Sequence, residues 1–299
     1  MDHFTFIKTM PIRRLIMFAF LGLGVSLLAV VWGAWLFLGA GGHLTGAAVI
    51  VVLTGGFWFA ADRLLVARDF DKKSLPARPE YSGFDLYDHP KHLEELGGRN
   101  LKSLTFVVFD TETTGLRPSH GDEIISIAGV RVVDGEIRDG ETFTRLVNPG
   151  RSIPKASIKF HGITDDMVRE EASAKEVLPA FRDFVGEAVL VAHNAAFDMK
   201  FLKLKEAETG AVFDHLVLDS LLLSVFLESE SRNHSLDAIA ERLGIEVEGR
   251  HTALGDSLVT AGVFLRMVNM LETRGIRTLG QAIEACSRIS HIREMQKKF

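Results

Sequence analysis

The stretch LTFVVFDTETTG, residues 104–115, decides the fold. Residues 104–110 are a compact run of Leu, Thr, Phe and Val that reads as a buried strand ending in an acid. In extended backbone, residues two apart point to one side, so Asp110 and Glu112 converge on a cation as the strand leaves the core. Hard oxygen ligands of this kind favour Mg²⁺ or Mn²⁺. Thr113, Thr114 and Gly115 then let the backbone turn and approach a ligand closely. An Asp-x-Glu is expected about once by chance in a chain of this length. The whole heptapeptide at 109–115, placed at a strand end, is far more specific.

Working outward, residues 123–133 and Glu136–Leu146 are two β-rich runs joined by Asp134 and Gly135, a strong hairpin signal. The domain therefore opens with three antiparallel strands. Thr164 is placed to cap a helix over 165–170, and Ser173 to cap one over Ala174–Val185. Residues 188–192 form a short apolar strand, 197–208 a helix, and 216–218 a strand leading into a helix from Asp219. Ser235 caps Leu236–Leu243, and a long helix covers Ala253–Thr273. Three antiparallel strands followed by alternating strands and helices predict an α/β fold, a five-stranded mixed sheet covered by helices.

Two further clusters carry chemistry. VAHNAAFD at 191–198 puts His193, Asn194 and Asp198 just past an apolar strand, with Asp198 at a helix start where the positive dipole end steadies a carboxylate. HTALGD at 251–256 puts His251 before the last long helix and Asp256 near its first turn. Taken singly, Asp198 reads first as a helix-capping acid, and a histidine such as His251 is more often a surface residue than a catalytic one.

In combination and order, the three motifs resemble those of the DEDDh 3′–5′ exonuclease family, which includes the proofreading epsilon subunit of bacterial DNA polymerase III and ribonuclease T. The resemblance covers roughly residues 104–270 and implies a ribonuclease-H-like fold. Every defining position is filled: Asp110 and Glu112, then Asp198, then His251 with Asp256. It implies two Mg²⁺ or Mn²⁺ ions held by Asp110, Glu112, Asp198 and Asp256, and His251 as the general base that takes a proton from the attacking water. It also implies that Thr111, Thr113 and Leu116 line the 3′-terminal nucleotide and that Phe197 packs near the scissile phosphate. His161 matches a recurrent family element but reads equally as a turn before the next helix. Asp219 resembles a family acid and is equally well explained as a helix N-cap. The expected partner is a nucleic-acid 3′ end, single-stranded DNA first and RNA or short oligonucleotides second, with nucleoside 5′-monophosphates as products. A reading from another class, a membrane scaffold that binds nucleic acid without cutting, is opposed by the retention of all five residues.

The amino terminus needs a separate explanation. Residues 15–61 contain no Asp, Glu, Lys or Arg. The 26 residues 15–40 span the roughly 30 Å hydrocarbon layer at about 1.5 Å per residue. After Gly41, Gly42 and His43, a second uncharged run follows, and residues 44–66 read as a second transmembrane helix. Lys8, Arg13 and Arg14 precede the hairpin, and Arg63, Arg68, Lys72 and Lys73 follow its uncharged core. By the positive-inside rule this orients a multi-pass inner-membrane protein with both termini and the catalytic domain in the cytoplasm, in contact with lipid. A cleaved signal has a shorter apolar core and no second apolar run after it.

The domain organisation expected is an anchor over 1–66, a Pro- and Gly-containing linker over 67–103 with a short helix near 92–96, the exonuclease domain over 104–273, and a helical basic tail over 274–299. Of the 34 basic and 39 acidic residues, three and one lie before position 62, leaving 31 against 38, a net of −7. That sign is wrong for a protein that grips duplex DNA through broad phosphate neutralisation. The tail carries no recognisable sliding-clamp peptide or polymerase-binding segment, which argues against a place in a replicative holoenzyme. A single cysteine, Cys286, excludes an intrachain disulfide.

Overall fold

The computed structural model describes residues 90–231 and 233–296. The expected membrane hairpin, residues 15–40 and 44–66, and the linker up to residue 89 lie outside the described residues. After a short helix α1 (Pro90–Leu96), the chain enters β1 (Thr105–Thr113), then β2 (Ile124–Val133) and β3 (Glu136–Leu146). The β2–β3 turn is Asp134 and Gly135, with φ of 53° and 76°. Two successive positive values make the tight turn whose twist matches a hairpin.

Helices α2 (Lys155–His161), α3 (Asp165–Val168) and α4 (Ala174–Val185) follow, then β4 (Val189–Ala192), α5 (Ala196–Thr209) and β5 (Val217–Asp219). The chain closes with α6 (Ser220–Leu227), α7 (Leu236–Leu243), α8 (Ala253–Thr273) and α9 (Leu279–Gln296). The sheet order is β3-β2-β1-β4-β5, antiparallel among the first three strands and parallel from β1 to β4 to β5. This is the mixed five-stranded sheet that the alternation of elements predicts.

Both faces of β1 are covered. Val107 and Phe109 point into a core with Val177, Leu178 and Phe181 of α4 and Phe201 and Leu202 of α5. Phe109 packs on Phe181 at 5.7 Å between ring centroids. The alternate residue Phe106 faces the other way, against Phe264 of α8 at 4.9 Å. Helix α8, with a mean hydropathy of 1.2 that would suit a membrane span, is instead mostly buried against β1 and β2. Its Ser257 reaches the sheet directly, donating to the Ala128 carbonyl at 3.3 Å.

Several boundaries differ from expectation for local reasons. Strand β1 runs on to Thr113, because β2 stays paired with it through Glu112↔Ser126 before the register shifts. Helix α2 has no sequence signal: its N-cap is Pro154, which offers no side-chain acceptor. Helix α3 is one turn, shorter than 165–170. Thr164 makes no side-chain cap, and the Asp165 carboxylate accepts the N–H of Ile153 at 2.8 Å. Beyond residue 273, α9 buries Leu279, Ala282, Ile283, Cys286 and Ile289 and packs on α6 and β5. Its entry pairs with residues 99–101, through Leu101 N–H to the Arg277 carbonyl at 2.9 Å and Leu279 N–H to the Arg99 carbonyl at 3.1 Å.

Candidate active site

The Phe106–Phe264 contact sets the distance at which the site forms. Four residues along β1 from Phe106 to Asp110 cover about 13 Å at roughly 3.3 Å per residue. Eight residues back along α8 from Phe264 to Asp256 cover about 12 Å at roughly 1.5 Å per residue. Strand end and helix start therefore arrive together. Carboxylate oxygens of Asp110, Glu112 and Asp256 lie within 4.8 Å of one another. The i, i+2 spacing puts Asp110 and Glu112 on the α8 face of β1, the face that Phe106 also uses.

Asp198 arrives from the opposite face. Its Oδ1 accepts the N–H of Thr111 at 3.1 Å and the Thr111 hydroxyl at 2.6 Å. Thr111, expected to line a nucleotide, thus spends its hydroxyl on holding a carboxylate. The loop before α5 that carries Asp198 is fixed by the fully buried Asp219. Its carboxylate accepts from Asn194 N–H at 3.0 Å, Ala195 N–H at 3.1 Å and Leu221 N–H at 2.9 Å. Asp219 is therefore the N-cap of α6 and also the clamp on the loop that leads into α5 and Asp198. Asn194 in that loop has φ of 64°.

The neighbouring acids act on Asp110. The Asp110 carboxyl is pushed well above the usual carboxylate range, first by burial and then by the charges of Asp198, Asp256 and Glu112, with Arg250 opposing. An all-oxygen donor set under mutual repulsion is one that a hard divalent cation fits. Asp110, Glu112 and Asp256, with Asp198 beside them, are the residues that can hold such ions.

His251 stands on a strained loop, at φ of 61°. Its N–H donates to Asp256 Oδ1 at 3.3 Å, and its ring lies 4.3 Å from that of Phe160. Its Nδ1 is buried and has no hydrogen-bond partner among the described residues. The loop is drawn tight by Thr252, whose hydroxyl donates to the Gly249 carbonyl at 2.6 Å and accepts the N–H of Gly255 at 3.1 Å. A Cβ at Gly255 would lie 2.0 Å from the Gly249 carbonyl oxygen, so only glycine fits.

The rim is apolar. Leu116 is 53% exposed and Phe160 62% exposed. Phe160 comes from α2, which Ser157 ties to the end of the first motif by donating to the Thr114 carbonyl at 2.7 Å. Thr113 is buried and donates to the Gly115 carbonyl at 2.6 Å. Gly115 passes so near Asp122 that a Cβ there would sit 2.3 Å from its carboxylate. His161 is buried, accepts Ile163 N–H on Nδ1 at 3.0 Å, and has its pKa lowered by burial, with the Thr113 backbone opposing. Phe197 is buried and packs edge-on to Phe201 at 5.1 Å.

Two groups at the site carry no sequence signal. Phe160 lies on the unpredicted helix α2. Arg250 ion-pairs with both Asp256 and Asp237. Burial opposes the Arg250 charge, but the bonds to Asp237 and Asp256 outweigh it and hold the guanidinium protonated.

Residues 107–264, more than half of the chain, match the family RNase_T, described as Exonuclease. A DNA polymerase III subunit epsilon-like protein of Rhodobacter capsulatus is 53% identical over 185 residues, 61% of this chain and 26% of that protein. A PolC-type DNA polymerase III of Staphylococcus haemolyticus is 40% identical over 179 residues, 60% of this chain and 12% of that protein. The chain thus spans about a quarter or less of the length of these relatives. Among solved structures, the nuclease domain of 3′hExo, a DEDDh family member bound to rAMP, superimposes with a TM-score of 0.51 at 22% identity, over 57% of this chain and 94% of that one. At that identity the likeness concerns the fold.

Proposed function

This chain belongs to the exonuclease family RNase_T, and on that premise we propose that it is a metal-dependent 3′–5′ exonuclease acting on single-stranded DNA and releasing nucleoside 5′-monophosphates. The observation that carries the reading is the convergence of Asp110, Glu112 and Asp256 to within 4.8 Å at the junction of β1 and α8, with Asp198 pinned beside them by Thr111.

Asp110, Glu112, Asp198 and Asp256 would hold two Mg²⁺ or Mn²⁺ ions. Bound there, such ions would supply Lewis-acid activation of a water and charge stabilisation at the leaving 3′-oxygen. The chain's own groups do the rest. His251 accepts the water's proton, a task to which an imidazole is suited. Leu116 and the Phe160 ring offer exposed apolar faces on which a terminal base can stack, and stacking tolerates any base because each has a π-face. Thr113 and Gly115 hold the first motif's exit in shape, Phe197 supports the start of α5 from within the core, and His161 closes the turn after α2 without carrying charge. The remainder of the chain beyond residue 61 is acidic overall, which suits short local contacts at one strand end more than a long duplex footprint.

The uncharged runs at 15–40 and 44–66 support a membrane hairpin that holds the catalytic domain at the cytoplasmic face of the inner membrane. Pelleting of the protein with membranes in a detergent-free lysate is the expected result; recovery in the supernatant would remove the anchor from this reading.

The activity itself is tested on the detergent-solubilised full-length protein with Mg²⁺, offered 5′-labelled single-stranded DNA and RNA of equal sequence. Stepwise shortening of the DNA ladder, faster than of RNA and stopped by EDTA, is expected. Faster shortening of RNA would replace DNA as the substrate. No shortening of either, with Asp110→Ala indistinguishable from wild type, would sink the hydrolytic reading.

A further inference from the structure

The loop entering α8 takes up two left-handed backbone positions, Gly249 at φ 63° and His251 at φ 61°. For histidine such a position costs on the order of 1 kcal/mol or more and persists only where the surroundings over-determine it. Between the two lies Arg250, whose side chain is 21% exposed. Its Nε and Nη2 donate to both carboxylate oxygens of Asp237 in α7, a two-point fork, and its Nη1 donates to Asp256 Oδ1. The next residue's backbone N–H, from His251, donates to that same Oδ1. One oxygen of Asp256 is therefore committed twice to the residue pair 250–251.

We propose that Arg250, braced by Asp237, is a positioning residue of the hydrolytic site: it sets the rotation of Asp256 toward the cation and fixes the left-handed backbone that presents His251. This rests on the metal-dependent reading above and assigns a role that none of the three motifs contains. The competing account is a simple counter-charge, a guanidinium that neutralises the acids until a cation displaces it. The fork argues against that account. Asp237 already matches the Arg250 charge, and three of its N–H groups act in fixed directions, which a planar guanidinium can supply and an ammonium cannot.

The two accounts predict opposite signs. A guanidinium near a cation site repels the cation, so removing a mere counter-charge tightens metal binding. Removing an orienting partner loosens it, typically by about 10- to 100-fold for groups that hold a metal ligand from outside. The experiment is calorimetric titration of the full-length protein in detergent with Mn²⁺, without nucleic acid.

Arg250→Gln is expected to bind Mn²⁺ about 10-fold or more weakly than wild type. Arg250→Lys should resemble the Gln variant, because it keeps the charge and loses the fork. Asp237→Asn, which cuts only the brace, should weaken binding in the same direction by less. Binding by Arg250→Gln that is unchanged or tighter overturns the proposal, and so does wild-type affinity in Arg250→Lys. Should Arg250→Gln fail to fold, Asp237→Asn decides, and unchanged affinity there overturns it. Wild-type protein that binds Mn²⁺ but cuts no nucleic acid would sink the exonuclease reading and leave Arg250 in place. Wild-type protein that binds no Mn²⁺ would sink both.

Discussion

Asp110 and Asp256 meet within one cluster, yet they are held there in different ways. Asp110 stands in the central strand, opposite Ala128 of β2 and two residues past Val108, where the pairing with β4 ends, and its direction is the pleat of β1. Asp256 stands one turn into a helix behind a loop with two left-handed residues, a glycine contact that admits no Cβ, a threonine cap and a forked arginine. The strand places its acids through backbone geometry that any neighbouring sequence would also produce. The loop places its acid through side chains and local strain. Changes at the first position should therefore remove chemistry and leave the fold, whereas changes around the second should cost both.

The largest effect expected is that of Asp110→Asn. Turnover on labelled DNA should fall on the order of 10³-fold or more, since one of the acids that would hold and polarise the reacting groups is lost. Thermal unfolding in EDTA should show a variant as stable as wild type or more stable, because a carboxylate pressed against three others has been neutralised. A clearly lowered melting temperature would break the contrast, since β1 would then depend on that charge.

Next comes His251→Ala, for which a loss of turnover of about 10²- to 10⁴-fold is expected from the removal of a general base. Mn²⁺ affinity should survive, since the backbone N–H that reaches Asp256 does not depend on the side chain. Unchanged turnover would remove His251 from the base role. Gly255→Ala should have a smaller but broader effect. Its Cβ must displace the Gly249 carbonyl, and overpacking of this kind costs about 1–3 kcal/mol. Denaturant melts should report that loss, and calorimetry should report weakened Mn²⁺ binding along with it. Wild-type stability in this variant would mean that the loop relaxes easily and does not place Asp256 by strain.

The same contrast explains what the sequence makes legible. Periodicity and turn chemistry locate β1, the Asp134–Gly135 hairpin and α8, because each follows from spacings within a few residues. The direction of Asp110 and Glu112 follows from the pleat alone. The setting of Asp198 does not, because it depends on Thr111, 87 positions away in the chain, and on Asp219, which bonds Asn194 and Ala195 across 25 and 24 positions. Asp219 is recognisable as a cap from its neighbours, but its hold on the loop before α5 appears only once β4 and β5 lie side by side. Helix α2 is short, starts after a proline with no capping side chain, and so hides Phe160 from any local rule. Arg250 is likewise invisible, since an arginine before a histidine is ordinary until α7 brings Asp237 to meet it.

The smallest effect reads the burial of Asp110 and its acidic neighbours together. The Asp110 carboxyl is held above its ordinary range, by burial first and by its acidic neighbours second. Above the unfolded value of about 3.9, the folded protein therefore keeps a proton that the unfolded chain has released. Its contribution to stability is present at low pH and is lost as pH rises through the raised value. The buried histidines His161, His215 and His234 act in the opposite direction. Burial lowers their pKa, so their contribution is present above about 6.5, the unfolded histidine value, and is lost as pH falls below it through the lowered folded values. A raw melting curve mixes the two trends, but the difference between wild type and Asp110→Asn in EDTA cancels the histidines. That difference should grow in favour of the variant as pH rises, and saturating Mn²⁺ should reverse it, because bound cations need the ionised carboxylate. A difference that is flat across pH would mean that the four acids do not share one field, and the strand end and helix start would then have to be treated as separate sites.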